Sequence, residues 1–113
     1  MKELKIRPLS GKGKDISYHK ELKGISVKWG DIVFKIDDSL YNIILKEFFI
    51  DTDKWYPLGA SMTEPIRGGL GEYVSNISTS LSPRHASAIA SIMVNEKHLI
   101  HRGIKPIELK SVE

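Results

Sequence analysis

The stretch GGLGEYVSNISTSLSPRHASAIASIMVNEKHLIHRGIKPIEL, residues 68–109, decides the fold of this chain. Its pattern predicts a short helix, a polar turn, a longer helix, and then two short strands joined at Arg102-Gly103. In the short helix, Leu70, Tyr73 and Val74 fall on one apolar face. The stretch therefore predicts a helix-turn-helix-like half that ends in a β-hairpin.

The longer helix is predicted to run from Pro83 to about Asn95. Ser82 can accept a hydrogen bond from an amide of the first turn, and Pro83 at the first helical position loses no needed donor. One side of the helix is apolar: Ala88, Ile89, Ile92 and Met93. The far side, expected to be exposed, is small or polar: Arg84, Ser87, Ser91 and Asn95. Such a face permits close approach of a partner surface, for example a DNA groove.

The predicted strands lie at residues 98–101 and 104–109. This order of elements resembles the winged helix-turn-helix family. The resemblance rests on four segments: LGEYV at 70–74, LSPRHAS at 81–87, LIHRG at 99–103 and IEL at 107–109. It implies that the second helix of the motif enters the major groove, while the hairpin, called the wing, touches the DNA backbone.

Five residues are predicted to contact nucleic acid, namely Arg84, Ser87, Ser91, Arg102 and Lys105. Arg84 is expected to reach base edges or phosphate from the helix start. Arg102 and Lys105 are expected to contact phosphate from the wing. We therefore expect a non-catalytic nucleic-acid-binding protein of a regulatory kind, with double-stranded DNA as its first candidate partner.

Upstream of this stretch, the clearest pattern is a β-hairpin. Two β-rich runs, ISVKW at 25–29 and IVFKI at 32–36, are separated only by Gly30-Asp31. Glycine at the first central position suits a type II′ turn. Residues 4–7 alternate as a short strand would, and residues 11–14 form a glycine-rich loop. The fold class is therefore α+β, with an N-terminal β-hairpin layer and a winged-helix-like C-terminal half.

Residues 38–50 fit either a helix or a strand. Four apolar residues have helical spacing, namely Tyr41, Ile44, Leu45 and Phe48, whereas the Ile, Phe and Tyr content favours a strand. We prefer the helix, with Asp38 or Ser39 as its cap. Residues 51–69 form a loop-rich linker. Three of its side chains are expected to fold back onto the core: Trp55, Tyr56 and Leu58.

The chain has 113 residues, of which 41% are hydrophobic and 27% charged, which favours a single compact domain over residues 1–113. The net charge is +3, and residues 1–23 hold seven Lys or Arg against three acids, which predicts a mobile basic arm. The absence of cysteine excludes disulfides and thiolate metal sites. No signal peptide or membrane span is recognisable, so a cytoplasmic location without membrane contact is expected.

No catalytic residue, metal ligand or cofactor is predicted, and an enzyme is not expected. Four possible metal ligands, His85, Glu96, His98 and His101, are spread along the chain, and on a continuous helix His85 would lie about 140° from His98. A compact metal-dependent nuclease using Glu47, Asp51 and Asp53 is the least favoured function. The main alternative is a small protein-interaction adaptor that uses residues 55–58 as its contact surface. DNA, RNA and protein all stay open as partners.

Overall fold

Two antiparallel sheets and three helices make up residues 3–112, the part of the chain that this computed structural model describes. The first sheet contains, in spatial order, β1 (Leu4–Ile6), β2 (Ile16–Glu21), β3 (Gly24–Trp29) and β4 (Ile32–Asp37). The second sheet, in the order β5-β7-β6, contains β5 (Tyr56–Pro57), β6 (Leu99–Arg102) and β7 (Glu108–Ser111). The helices are α1 (Asp38–Ile43), which continues as a π-helical turn (Ile44–Phe48), α2 (Leu70–Ile77) and α3 (His85–Asn95). The predicted α+β class is confirmed.

The hairpin predicted around Gly30-Asp31 is confirmed. Strands β3 and β4 pair with Trp29 opposite Ile32, so the turn has the expected two residues. Gly30 has a φ of 62°, whereas Asp31 does not share the left-handed conformation. A type I′ turn needs positive φ at both central residues, so these angles fit the type II′ turn.

Much of the segment predicted as a basic arm is built into the first sheet, because residues 4–6 and 16–21 are strands. Ile16 and Tyr18 of β2 are almost fully buried, and Tyr18 pairs with Val27 of β3. The lysines of these strands are exposed: Lys5 lies between Leu4 and Ile6 in β1, and Lys20 lies near the end of β2. Residues 1 and 2 lie outside the described residues.

The helix preferred for residues 38–50 is confirmed, and it buries Tyr41, Ile44 and Phe48. Its N-cap, however, is Asp37, one residue before the two caps that were predicted. The Oδ1 atom of Asp37 accepts a hydrogen bond from the Leu40 amide at 2.7 Å. Asp37 is still in extended conformation at the end of β4, as an N-cap residue requires.

The linker folds back as predicted, with Tyr56 and Leu58 buried and Trp55 half-buried. Residues 55–58 therefore do not offer the continuous contact surface expected for an adaptor. In the wing, β6 lies close to its predicted position, but the second strand is β7, at 108–111 instead of 104–109. Pro106 has no amide to donate to a ladder, which accounts for the later start.

Helix α3 lies at the centre of the core. Residues 88–93 are all buried, and Ser87 is half-buried. Ser91 is 2% exposed, so the predicted exposure of this face is wrong at Ser91, whereas Arg84 and Asn95 are exposed as predicted. The helix also begins at His85, because Pro83 and Arg84 form a preceding turn in which the His85 amide donates to the Ser82 carbonyl.

Residues of the first sheet contact both ends of α3, and Leu9, in the loop after β1, contacts Ser91. Phe34 of β4 packs edge-on against the His85 ring, with centroids 4.7 Å apart. At the other end of the helix, the Asn95 side chain donates to the Tyr18 hydroxyl of β2 at 2.8 Å. Within residues 3–112, none of the helices combines the length and apolarity needed to cross a bilayer.

Candidate nucleic-acid interface

The five residues predicted to contact nucleic acid fall into two groups. Arg84, Arg102 and Lys105 are exposed, as a charged contact surface requires. Ser91 is buried, and its hydroxyl accepts a hydrogen bond from the Leu9 amide and donates to the Ser87 carbonyl, while Ser87 is half-buried. The interface therefore has to be built from the three cations and their neighbours.

Arg84 lies beside the β3–β4 turn. Its guanidinium carbon is 5.8 Å from the centre of the Trp29 ring, a cation–π contact. Together they line a shallow pocket of about 270 Å³, whose other walls are Lys14 and residues 30–32. Asp31 contributes the single carboxylate of this lining. The pocket is thus weakly cationic and has one aromatic wall.

The turn that carries Arg84 is fixed by His85. The Nδ1 atom of His85 accepts a hydrogen bond from the Ser82 amide at 3.0 Å and lies 2.9 Å from the Ser82 hydroxyl. Burial is the main cause that lowers the pKa of His85, with a smaller contribution from Arg84. The Nδ1 atom can accept this hydrogen bond only when it carries no proton. The Ser82 hydroxyl therefore contacts the His85 side chain, whereas it was predicted to accept a hydrogen bond from a backbone amide of the first helical turn.

A second cationic surface lies on the outer face of the second sheet. The guanidinium carbon of Arg102 is 4.1 Å from the centre of the Trp55 ring, and Lys110 Nζ is 5.7 Å from it. In the ladder, Arg102 is opposite Glu108, and Lys110 is two residues further along β7, so these side chains share one face. We call Trp55, Arg102 and Lys110, together with Lys105 of the adjoining β6–β7 loop, the Trp55 face.

The Trp55 face is ordered and positively charged. Arg102 Nε donates to Glu108 Oε1 at 2.8 Å, which orients the guanidinium over the ring. Lys105, in the loop between β6 and β7, is exposed and makes no ion pair within residues 3–112. Nearby in the chain, Lys54 lies 4.9 Å from the Tyr56 ring centre. The cations of the Trp55 face therefore outnumber the one carboxylate beside it, that of Glu108, which is paired with Arg102.

Sequence reasoning identified Arg102 and Lys105 but missed Trp55 and Lys110. The available signal was alternation, because Trp55 and Pro57 share one face of a strand while Tyr56 points to the core. That signal is short, and it gains meaning only once β5 is known to pair with β7 through Tyr56 and Leu109. Arg84 contacts Trp29, whereas Arg102 and Lys110 contact Trp55, so the predicted cations lie beside two different aromatic rings.

The residues considered for metal chemistry are not brought together. Within the described part of the chain, no group of three His, Asp or Glu side chains could hold a metal ion. His98 Nδ1 lies 2.7 Å from the Tyr41 hydroxyl, and Asp51 Oδ1 accepts from the Asp53 amide at 2.9 Å. These groups act in local hydrogen bonding.

No protein-family model, curated protein or solved structure matches this chain. A function for the interface therefore has to follow from the chemistry of its own side chains.

Proposed function

We propose that this chain is a non-catalytic nucleic-acid-binding protein that contacts the sugar–phosphate backbone through the Trp55 face. The observation that carries the proposal is the Trp55 ring flanked by Arg102 and Lys110 on an outer sheet face. Single-stranded nucleic acid is commonly held by this combination, in which an aromatic ring stacks on a base and cations bind phosphate. Arg102 is available for this role, since its ion pair with Glu108 leaves the other guanidinium nitrogens free to donate.

The order of elements from α1 to β7 also supports the proposal. Three helices are followed by a terminal β-hairpin, and the hairpin carries Arg102 and Lys105. In winged helix-turn-helix domains the wing contacts the DNA backbone. Arg102 and Lys105 therefore lie where the wing of such a domain would contact the DNA backbone.

Reading of base edges by α3 is not part of the proposal. Its residues 88–93 are buried in the core, where α3 packs against α2, β6 and β1, and a helix can enter a major groove only with an exposed face. Contacts from the Trp55 face are to phosphate and to an accessible base. We therefore expect little sequence preference and a preference for unpaired strands over an intact duplex.

The test is fluorescence anisotropy at low salt with a labelled 20-nucleotide oligothymidylate and a random 20-base-pair duplex. The single strand should bind more tightly than the duplex. Trp55→Ala should weaken binding roughly 5- to 150-fold, the equivalent of about 1–3 kcal/mol of base stacking. Lys105→Ala should lower the salt slope by about one unit at most.

Lys28→Ala is the matched control, because Lys28 is an exposed cation on the outer face of the first sheet. Its effect should be small. Arg84→Ala reports separately on the pocket beside Trp29. The proposal fails if both nucleic acids bind no more tightly than about millimolar, or if Lys28→Ala weakens binding as much as Trp55→Ala does.

A further inference from the structure

Two adjoining pockets form a groove at the end of α3 that the proposed function does not use. The larger, about 520 Å³, lies between residues 45–52 and the end of β7. The smaller, about 360 Å³, lies between the end of α3 and β6. Both are lined by Lys97 and Val112, so we treat them as one α3–β6 groove. Apolar side chains are exposed along it: Ile50 at 74%, Val112 at 52% and Ile100 at 46%.

The groove opens at a free strand edge. Within residues 3–112, β6 is paired with β7 on one side and with no strand on the other. Leu99, Ile100 and His101 all line the smaller pocket. Consecutive strand residues point to opposite faces, so a pocket that contacts all three lies along the edge of the strand.

The hydrogen-bond pattern leaves backbone groups available at that edge. The Val112 amide donates to the His98 carbonyl at 3.2 Å. Hydrogen-bonded pairs alternate in an antiparallel ladder, so Ile100 and Arg102 exchange their hydrogen bonds with β7. The amides of Leu99 and His101 then point away from β7. Leu99 is 1% exposed, so the amide that an added strand would meet is that of the exposed His101.

The charge of the groove selects its partner. Two lysines, Lys46 and Lys97, line it, together with the imidazoles of His98 and His101. No carboxylate from the described residues does so. A segment bearing acidic side chains therefore has the charge that complements the groove.

We propose that the α3–β6 groove binds an extended segment of a partner protein, with alternating apolar and acidic side chains, which pairs with the free edge of β6. Strand addition of this kind takes affinity from backbone hydrogen bonds and selectivity from side-chain pockets. Apolar side chains of the segment would cover Ile100 and Val112, and its acids would face Lys46 and Lys97. This inference does not depend on nucleic-acid binding by the Trp55 face.

The test uses the full chain and a fluorescein-labelled nine-residue peptide that alternates valine with glutamate. A peptide alternating valine with lysine is its charge-reversed counterpart. We expect the acidic peptide to bind at least tenfold more tightly, as measured by anisotropy. Ile50→Glu and Lys46→Glu should each weaken it about tenfold, an effect typical of like-charge placement at an interface. Val33→Glu, at a residue 69% exposed on the first sheet, should leave binding unchanged.

Hydrogen exchange measured by NMR identifies the mode of binding. Addition of the acidic peptide should slow exchange of the exposed His101 amide at least tenfold. Trp55→Ala should retain peptide binding, which separates this result from the nucleic-acid test. Equal affinity for the two peptides, unchanged exchange at His101, or protection of this amide by self-association without peptide would each overturn the proposal.

Discussion

At the end of α3, the Glu96 carboxylate accepts a hydrogen bond from the Tyr18 hydroxyl at 2.6 Å and forms an ion pair with Lys20. Burial opposes ionisation of Glu96, but the hydrogen bonds from Lys20 and Tyr18 outweigh it and lower its pKa. Burial, and then the bond to Glu96, raise the pKa of Tyr18 to about 12. The two groups therefore keep complementary protonation states at neutral pH, and they fasten β2 to α3.

Glu96→Gln should destabilise the protein by about 1–3 kcal/mol at pH 7, the usual contribution of a hydrogen bond to a charged group. The folded-state pKa of Glu96 is below its ordinary value of 4.5. Its contribution is therefore complete above pH 4.5 and is lost as the pH falls through the folded-state pKa. Urea melts should show a larger difference between wild type and variant at pH 7 than at pH 3. Glu64→Gln, at an exposed site, is the control, and equal losses at both pH values would contradict the prediction.

The elements that could be predicted are those fixed by local interactions. The β3–β4 hairpin depends on two residues, Gly30 and Asp31, and the phase of α3 depends on apolar spacing within the helix. Exposure of the polar side of α3 could not be predicted in this way. Ser91 is buried by contact with Leu9, 82 residues away, and its hydroxyl is satisfied there. A row of small polar side chains is compatible with exposure to solvent. It is equally compatible with burial, provided that each buried polar group has a hydrogen-bond partner.

Ser91→Ala tests this contact between elements. The substitution removes the acceptor of the Leu9 amide, and an unpaired, partly buried donor should cost about 1–3 kcal/mol. Ser87→Ala is the matched control, since the half-buried Ser87 hydroxyl has no hydrogen bond to the described residues, and its cost should be below about 0.5 kcal/mol. Denaturant melts of both variants provide the comparison. Equal stability losses would mean that the Leu9–Ser91 bond contributes nothing.

For the whole molecule, the candidate site was only half predictable. Arg102 and Lys105 lie in and beside a hairpin loop, and such loops are exposed wherever the rest of the chain lies. Trp55 joins them only because β5 pairs with β7, which brings Tyr56 opposite Leu109. That pairing spans about half of the chain, and sequence periodicity carries no information about it. By contrast, the segment predicted as a basic arm forms β1 and β2 through pairing between strands adjacent in sequence.

The two sheets should unfold together, because both pack on α3. Tyr18 and Phe34 of the first sheet contact its two ends, and Leu99 of the second sheet belongs to the same buried core. The chain has two tryptophans, Trp29 in β3 and Trp55 beside β5, so each sheet can be followed alone. The Trp29→Phe variant keeps only the fluorescence of Trp55, and the Trp55→Phe variant keeps only that of Trp29. When each variant is unfolded in urea, the midpoint of its fluorescence transition should coincide with the midpoint of its far-UV circular dichroism transition. Within either variant, midpoints that differ by more than about 0.5 M would show that the sheets unfold separately, and that the first sheet can leave α3 while the second remains folded.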